Sequence, residues 1–423
     1  MYDAKKEIYV ERNRIKRLLD WINGKSTGPV RIDAEFHRRC NLKCLVCPRR
    51  AADIDLNKES AKHEMSLTKW LKIVKEAAKL GVLWWNIEGA CEPLYLPKLV
   101  MPVMKKVKKV EMFGDLTTNG TLWTEEMVRK TVEMSWDRIH ISIDAVDSKT
   151  HDELRQVPGA FEKAFQTAMM FKKIKKELQT DKPSIVINFV TNKKNYKQLP
   201  EIIKLAHKFG ADYVFTEPVI VHSKHGEKLK LSSEQMKDLK NYINKAHKIS
   251  KELDLGTNFT TEEKALEEDL VQGTSKIREV LMKRKQRRAD KEKLEEQEKI
   301  KQHKLFSASC FKPWFNMAIK HNGDAGPCGL LYSSKENVKK KSLKNIWLGK
   351  YYTKVRQGIL NDKLSNECAR CAPSDVTQAD KLREDLMHHT DKDYLFNEML
   401  KWMNDFIRTE ELYKRKLIQA RKK

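Results

Sequence analysis

No stretch of this 423-residue chain is apolar for long enough to cross a bilayer as a helix, which excludes a helical membrane-spanning protein. The opening MYDAKKEIYVERNRIKRLLDWINGKSTGP also lacks the uninterrupted apolar core of a signal peptide. Ile8, Ile15, Leu18, Leu19 and Ile22 instead recur at helical spacing, so an amphipathic helix stopping at Gly24 is expected. The expected location is therefore the cytoplasm, where thiols stay reduced and can serve as metal ligands. Acidic residues are in deficit, 59 against 84 basic, and the net charge of +25 favours polyanions such as nucleic acid. The lysines are scattered rather than interleaved with aromatics, so a solvated surface is the simpler reading and a nucleic-acid role the alternative. Cysteine is scarce too. Yet of the eight, only Cys91 stands alone; Cys40, Cys44 and Cys47 form one group and Cys310, Cys328, Cys368 and Cys371 another. Such clustering argues for cofactors rather than packing.

From about residue 28 to 220, short apolar runs alternate with amphipathic stretches. VRIDAEF (30–36), VLWWNIEG, FGDLTTNG, RIHISIDA (138–145), SIVINFVT (184–191) and ADYVFTEPVI (211–220) read as strands. Helical patterns lie between them, for example SLTKWLKIVKEAAKLG (66–81) and LPEIIKLAHKFG. Six βα-type units predict an α/β fold, a parallel sheet curled into a partial (β/α)6 barrel with its chemistry at the C-terminal strand ends. The expected domains are an N-terminal helix (1–29), the partial barrel (30–221) and a charged helical connector (222–309). A small α+β cluster-binding domain (310–375) and a C-terminal helical tail (376–423) follow. KRKQRR (283–288) is a weak polyanion motif. Leu395, Met399, Trp402, Met403, Phe406 and Leu412 suggest a tail helix packing on the body or a partner.

Cys40-x3-Cys44-x2-Cys47 offers three thiolates from the loop after the first strand. A cubane normally takes four cysteines, so three would leave one iron open to bind a small molecule. Zinc is the alternative, and would need His37 or His63 as a fourth ligand. The spacing resembles the CxxxCxxC signature of the radical S-adenosylmethionine (SAM) superfamily, with Val46 where that family has a bulky residue. IEGACEPLYLP resembles its Gly-Gly-Glu segment, with Gly89, Glu92 and Pro93 matching and Cys91 in place of a glycine. TTNGTLW and ISIDAVDSKTHDELR resemble its ribose- and carboxylate-contacting segments. The resemblance therefore implies SAM contacts at Gly89, Glu92, Asn119, Ser142 and Arg155, with Asp144 as an alternative loop-fixing carboxylate. CFKPWFNMAIKHNGDAGPCG, the IW element and the closing CARC resemble a twitch/SPASM-type extension. Its four thiolates, Cys310, Cys328, Cys368 and Cys371, imply a fully ligated auxiliary [4Fe–4S] cluster, with zinc as the alternative.

This resemblance implies reductive cleavage of SAM to a 5′-deoxyadenosyl radical, which abstracts hydrogen from the substrate, with flavodoxin or ferredoxin as electron donor. The auxiliary cluster could accept an electron from a substrate radical. The expected reaction is then a two-electron oxidation of a small hydroxylated molecule, such as a sugar or cyclitol. Only about thirty residues precede the first strand, which counts against peptide-modifying relatives; a peptide or protein maturase is the alternative. Glu217, at the end of the sixth strand, is the candidate base, with His222 and His225 nearby, an ordinary loop carboxylate being the alternative. Cys91 is expected to be an inert packed thiol.

Overall fold

The computed structural model describes residues 4–47, 55–89, 91–221, 224–259, 298–361 and 363–368, together with 379, 382–383 and 385–387. The charged 283–288 run, Cys371, His222 and the tail residues from Leu395 onward lie outside the described residues.

Strands β1 (Arg31–Ala34), β2 (Trp84–Ile87), β3 (Phe113–Thr118), β4 (Arg138–Ser142), β5 (Ser184–Thr191) and β6 (Tyr213–Pro218) pair in parallel, in chain order. All six fall within the stretches expected as strands. Helices lie between them: α2 (Leu56–Ala61), α3 (Leu67–Lys79), α4 (Pro97–Lys109), α5 (Glu125–Glu133), α6 (Ser148–Arg155), α7 (Ala160–Glu177) and α8 (Leu199–Phe209). Side chains cap several of these starts. Ser66, Thr124 and Asp147 accept hydrogen bonds from the first-turn backbone of α3, α5 and α6, which supplies partners to otherwise orphaned N–H groups.

Alternation along the strands sorts the side chains by face. Ile32, Ala34, Trp85, Ile87, Leu116, Ile139, Ile141, Ile187 and Phe189 are buried in one large cluster with helix residues such as Trp70, Val100, Val128 and Phe171. The other face of the sheet is polar. Asp33 and Asn86 are hydrogen-bonded across β1 and β2, Asp115 meets Arg138 across β3 and β4, and His140 meets Asn188 across β4 and β5. The 19-residue α1 (Ala4–Ile22) packs Val10, Leu18 and Ile22 with Trp84 and Phe113, which open β2 and β3. The N-terminal helix thus floors the barrel at the end away from the cysteine loop.

The stretch expected as a charged connector begins with ordered elements. A turn of helix α9 (Lys224–Glu227) leads to α10 (Ser233–Glu252), opened by a Ser232–Gln235 capping box. β7 (Gly256–Thr257) then adds in parallel to β6. After α11 (Lys312–Phe315), β8 (Asn316–Ile319) lies parallel to β1 on its other side, and β9 (Asp324–Gly326) and β10 (Ser333–Asn337) return antiparallel. One open ten-stranded sheet results, in the order β10-β9-β8-β1-β2-β3-β4-β5-β6-β7. Helices α12 (Leu343–Trp347) and α13 (Lys350–Leu360) complete the described C-terminal part.

Candidate active site with two thiol sets

β1 delivers the chain into the loop that carries Cys40, Cys44 and Cys47. Cys44 is buried, the other two are half-buried, and all three pack together with Leu42, Val46, Val157 and Ala160. The loop is held from three sides. Asn57 of α2 accepts from the Cys40 amide at 3.0 Å and donates to its carbonyl at 3.2 Å. The last carbonyls of α6, Leu154 and Arg155, accept from the amides of Leu45 and Lys43 at 2.9 and 3.2 Å. Asn41 reaches Thr121 and Asn119 at 2.7 and 3.0 Å.

Two side chains aim donors at the sulfurs. Asn119 Nδ2 lies 3.8 Å from Cys40 Sγ, and Arg155 Nη1 lies 3.7 Å from Cys44 Sγ. Arg155 is almost fully buried and forms a 2.8 Å ion pair with Asp144. Burial alone would lower its pKa, but Asp144, Cys44 and Cys40 outweigh that and hold the guanidinium charged. An apolar nest of three sulfurs, with a buried cation and an amide turned on them, suits an anionic iron–sulfur cluster. The histidines weighed as a fourth ligand are occupied otherwise. His37 accepts from the Arg39 amide through Nδ1 at 3.1 Å and meets the Pro93 carbonyl through Nε2 at 3.2 Å. His63 faces Glu59 at 3.4 Å.

The Gly-Glu segment follows β2. Gly89 has φ +140, and a Cβ there would lie 2.8 Å from Glu35 Cγ, so only glycine fits without a shift. Glu92 is fully buried and accepts from the Leu94 amide, the Thr118 hydroxyl and the Asn119 amide at 3.1, 2.8 and 2.7 Å. It braces the end of β3 against the segment after β2. Burial pushes its carboxyl up to about 7 against the pull of those hydrogen bonds. Asp144 accepts from Val190 and donates its own amide to His151 Nδ1 at 3.1 Å, while Asp152 accepts from Gly159 and Phe161 at the start of α7. Ser142 ends β4 opposite Asn188, and Glu217 stands opposite Val190 near the end of β6. Gly89, Glu92, Asn119, Ser142 and Arg155 thus all stand at the C-terminal strand ends, as the cysteine loop does. Asn57, Asn41 and Thr121 were not singled out from the sequence; their signal is only that short polar residues clamp loops.

Cys310 and Cys328 of the second thiol set lie at the other end of the sheet. Asn316, first in β8, is level with Arg31, first in β1, and β9 runs back so that Gly326 faces Ala318. Cys328, two residues on, is therefore level with the N-terminal strand ends, and Asn316 Nδ2 reaches the Pro327 carbonyl at 2.9 Å. Cys310 packs with the floor residues that α1 covers. The Tyr351 hydroxyl is pushed up by burial and then by Cys328, Glu367 and Cys368. Cys371, the expected fourth ligand, is outside the described residues.

Between the two ends runs the polar inner face. Burial would raise Asp115, but Arg138 and His140 outweigh it and hold it well below the carboxylate range. Asp33 is likewise lowered against burial by Arg31, Asn86 and Asn316. Glu88 is raised, by burial and then by Asp33, and meets Arg31 only at 3.8 Å.

Residues 34–206 match the Radical SAM superfamily, and residues 310–372 match SPASM, the iron-sulfur cluster-binding domain. The chain thus carries a radical SAM domain followed by a C-terminal SPASM domain. Such domains hold a SAM-binding [4Fe–4S] cluster and auxiliary iron–sulfur ligation. Among curated proteins, it is similar to the tungsten-containing aldehyde ferredoxin oxidoreductase cofactor-modifying protein of Pyrococcus furiosus. They are 30% identical over 211 residues, which is 48% of this chain and 53% of the relative. It is 28% identical over 183 residues to the PqqA peptide cyclase of Granulibacter bethesdensis, covering 43% and 45% of the two chains. The chain thus spans about half the length of the curated relatives it matches. Among solved structures, Streptococcus suis SuiB bound to precursor peptide SuiA aligns with TM-score 0.56 at 18% identity, over 85% of this chain and 72% of that one. Native anSMEcpe with bound AdoMet and Kp18Cys peptide aligns with TM-score 0.54 at 14% identity, over 89% and 99%. At those identities the likeness shows the fold, a partial barrel of radical SAM type.

Proposed function

We propose that this chain is a peptide- or protein-modifying radical SAM enzyme. What supports the reading is that Cys40, Cys44 and Cys47 stand at one end of the polar-walled sheet and Cys310 and Cys328 at the other. A substrate side chain entering that barrel would lie between them. The first cluster, when bound by Cys40, Cys44 and Cys47, supplies reductive cleavage of SAM to a hydrogen-abstracting radical. Gly89 leaves room at the segment after β2, Asn119 and Arg155 orient the sulfurs, and Ser142 lines the mouth. We assign these with Glu92, which braces the loops, to SAM binding. Cys310, Cys328, Cys368 and Cys371 would hold the auxiliary cluster. Glu217 is the base assigned to the substrate proton, since it stands near the C-terminal end of β6.

The names of relatives support a peptide: PqqA peptide cyclases, and SuiB with its precursor peptide. The small sugar or cyclitol expected from the sequence finds no support in these comparisons. A low-potential donor such as flavodoxin or ferredoxin is proposed as the electron source.

The test is anaerobic incubation of the reconstituted chain with SAM and dithionite. 5′-Deoxyadenosine is expected from the native chain and none from the Cys40→Ala/Cys44→Ala/Cys47→Ala variant. No product from a chain holding its full iron, or equal product from the triple variant, would overturn the reading.

A further inference from the structure

The HDELR run at residues 151–155 does more than present a cofactor contact. His151 fixes the amide of Asp144, Asp152 ties the start of α7, and Arg155 touches the cluster loop twice. Its carbonyl accepts from Lys43, and its guanidinium donates to Cys44 Sγ at 3.7 Å while pairing with Asp144 at 2.8 Å. Arg155 Nε is buried with no hydrogen-bond partner among the described residues, so the fork keeps capacity for one more anionic neighbour. The arrangement is a cation set against a sulfur ligand, with a carboxylate behind it that partly offsets the charge.

We infer that Arg155 is a positioning residue that sets the reduction potential of the three-thiolate cluster upward, with Asp144 as the counterweight that limits the rise. The inference rests on the reading of Cys40, Cys44 and Cys47 as cluster ligands. Adding an electron to a cluster makes it more negative, so a nearby buried cation and a hydrogen bond to sulfur both favour the reduced form. Removing the cation must lower the potential, and removing the carboxylate must raise it. A residue serving only to hold the loop would not give shifts of opposite sign.

The measurement is an EPR-monitored redox titration of the full reconstituted chain without substrate. The first cluster is identified by its response to SAM and by its loss in the Cys40→Ala/Cys44→Ala/Cys47→Ala variant. Arg155→Met is expected to reduce the reduced-to-oxidised ratio at a fixed potential about tenfold, a downward shift of about 59 mV. Arg155→Lys, which keeps the charge but loses the planar fork, is expected to fall between Met and the native residue. Asp144→Asn is expected to shift upward. Unchanged potential in Arg155→Met at native iron content, or a downward shift in Asp144→Asn, overturns the inference. Should Arg155→Met fail to hold iron, Arg155→Lys at the native potential together with an unshifted Asp144→Asn overturns it. Absence of any SAM-responsive signal in the native chain instead overturns the cluster assignment, and the inference with it.

Discussion

Glu92 illustrates how one carboxylate can read as a ligand in sequence and act as a brace in structure. Its three donors come from the segment after β2 and from the end of β3 with the residue beyond it, and burial still lifts its pKa from an ordinary 4.5 to about 7. The native state therefore holds the proton more tightly than the unfolded chain. The stability this group contributes is fully present below about pH 4.5 and is lost as pH rises through about 7. At ~1.4 kcal/mol per unit the swing is roughly 3 kcal/mol. Denaturant unfolding of the cluster-free native chain should thus lose more stability between about pH 5 and pH 8 than Glu92→Gln does, by that order. Parallel pH profiles for the two would show an ordinary pKa. Residues such as Glu92, Asn119 and Arg155 were legible because a family pattern fixes their spacing. Asn57 was not, because a single asparagine on a short helix has no sequence signature, and its role appears only when the Cys40 backbone is seen between its two amide atoms.

At the scale of elements, the cysteine loop is rigid because helices grip its backbone. α2 supplies Asn57 and α6 supplies its terminal carbonyls. Asn57→Ala would remove two hydrogen bonds, at about 0.5–1.5 kcal/mol each, and leave the thiols otherwise in place. Faster loss of iron to a chelator at the SAM-responsive cluster is expected, with the auxiliary signal unaffected; equal loss rates would show that the clamp is dispensable. The six strands and most helices followed from alternating and helical periodicity. SIVINFVT is β5 residue for residue. α6 was hidden, since SKTHDELR is polar along most of its length and its buried residues are His151, Leu154 and Arg155. β8 was hidden in another way. NMAI is too short to announce that its partner is β1, far away in sequence.

Over the whole molecule, the polar inner wall separates Cys40, Cys44 and Cys47 from Cys310 and Cys328 by the length of the strands. Independent assembly of the two sites is the expected outcome. Cys328→Ser/Cys368→Ser is expected to lose about four irons per chain and to retain SAM cleavage, read as 5′-deoxyadenosine with dithionite. Loss of both iron sets would tie the sites together. The seam between β1 and β8 has a further consequence. Strand β1 leaves the ribosome well before its neighbour, residues 316–319, which is synthesised far later. Until then the β1 side of the nascent sheet is an unpaired edge, with Ile32 and Ala34 on its core side, the kind of edge that pairs with other chains. The auxiliary domain therefore also covers one edge of the catalytic domain's sheet. Synthesis that halts before residue 316 would leave the first strand open to other chains, and the completed chain supplies its own protection.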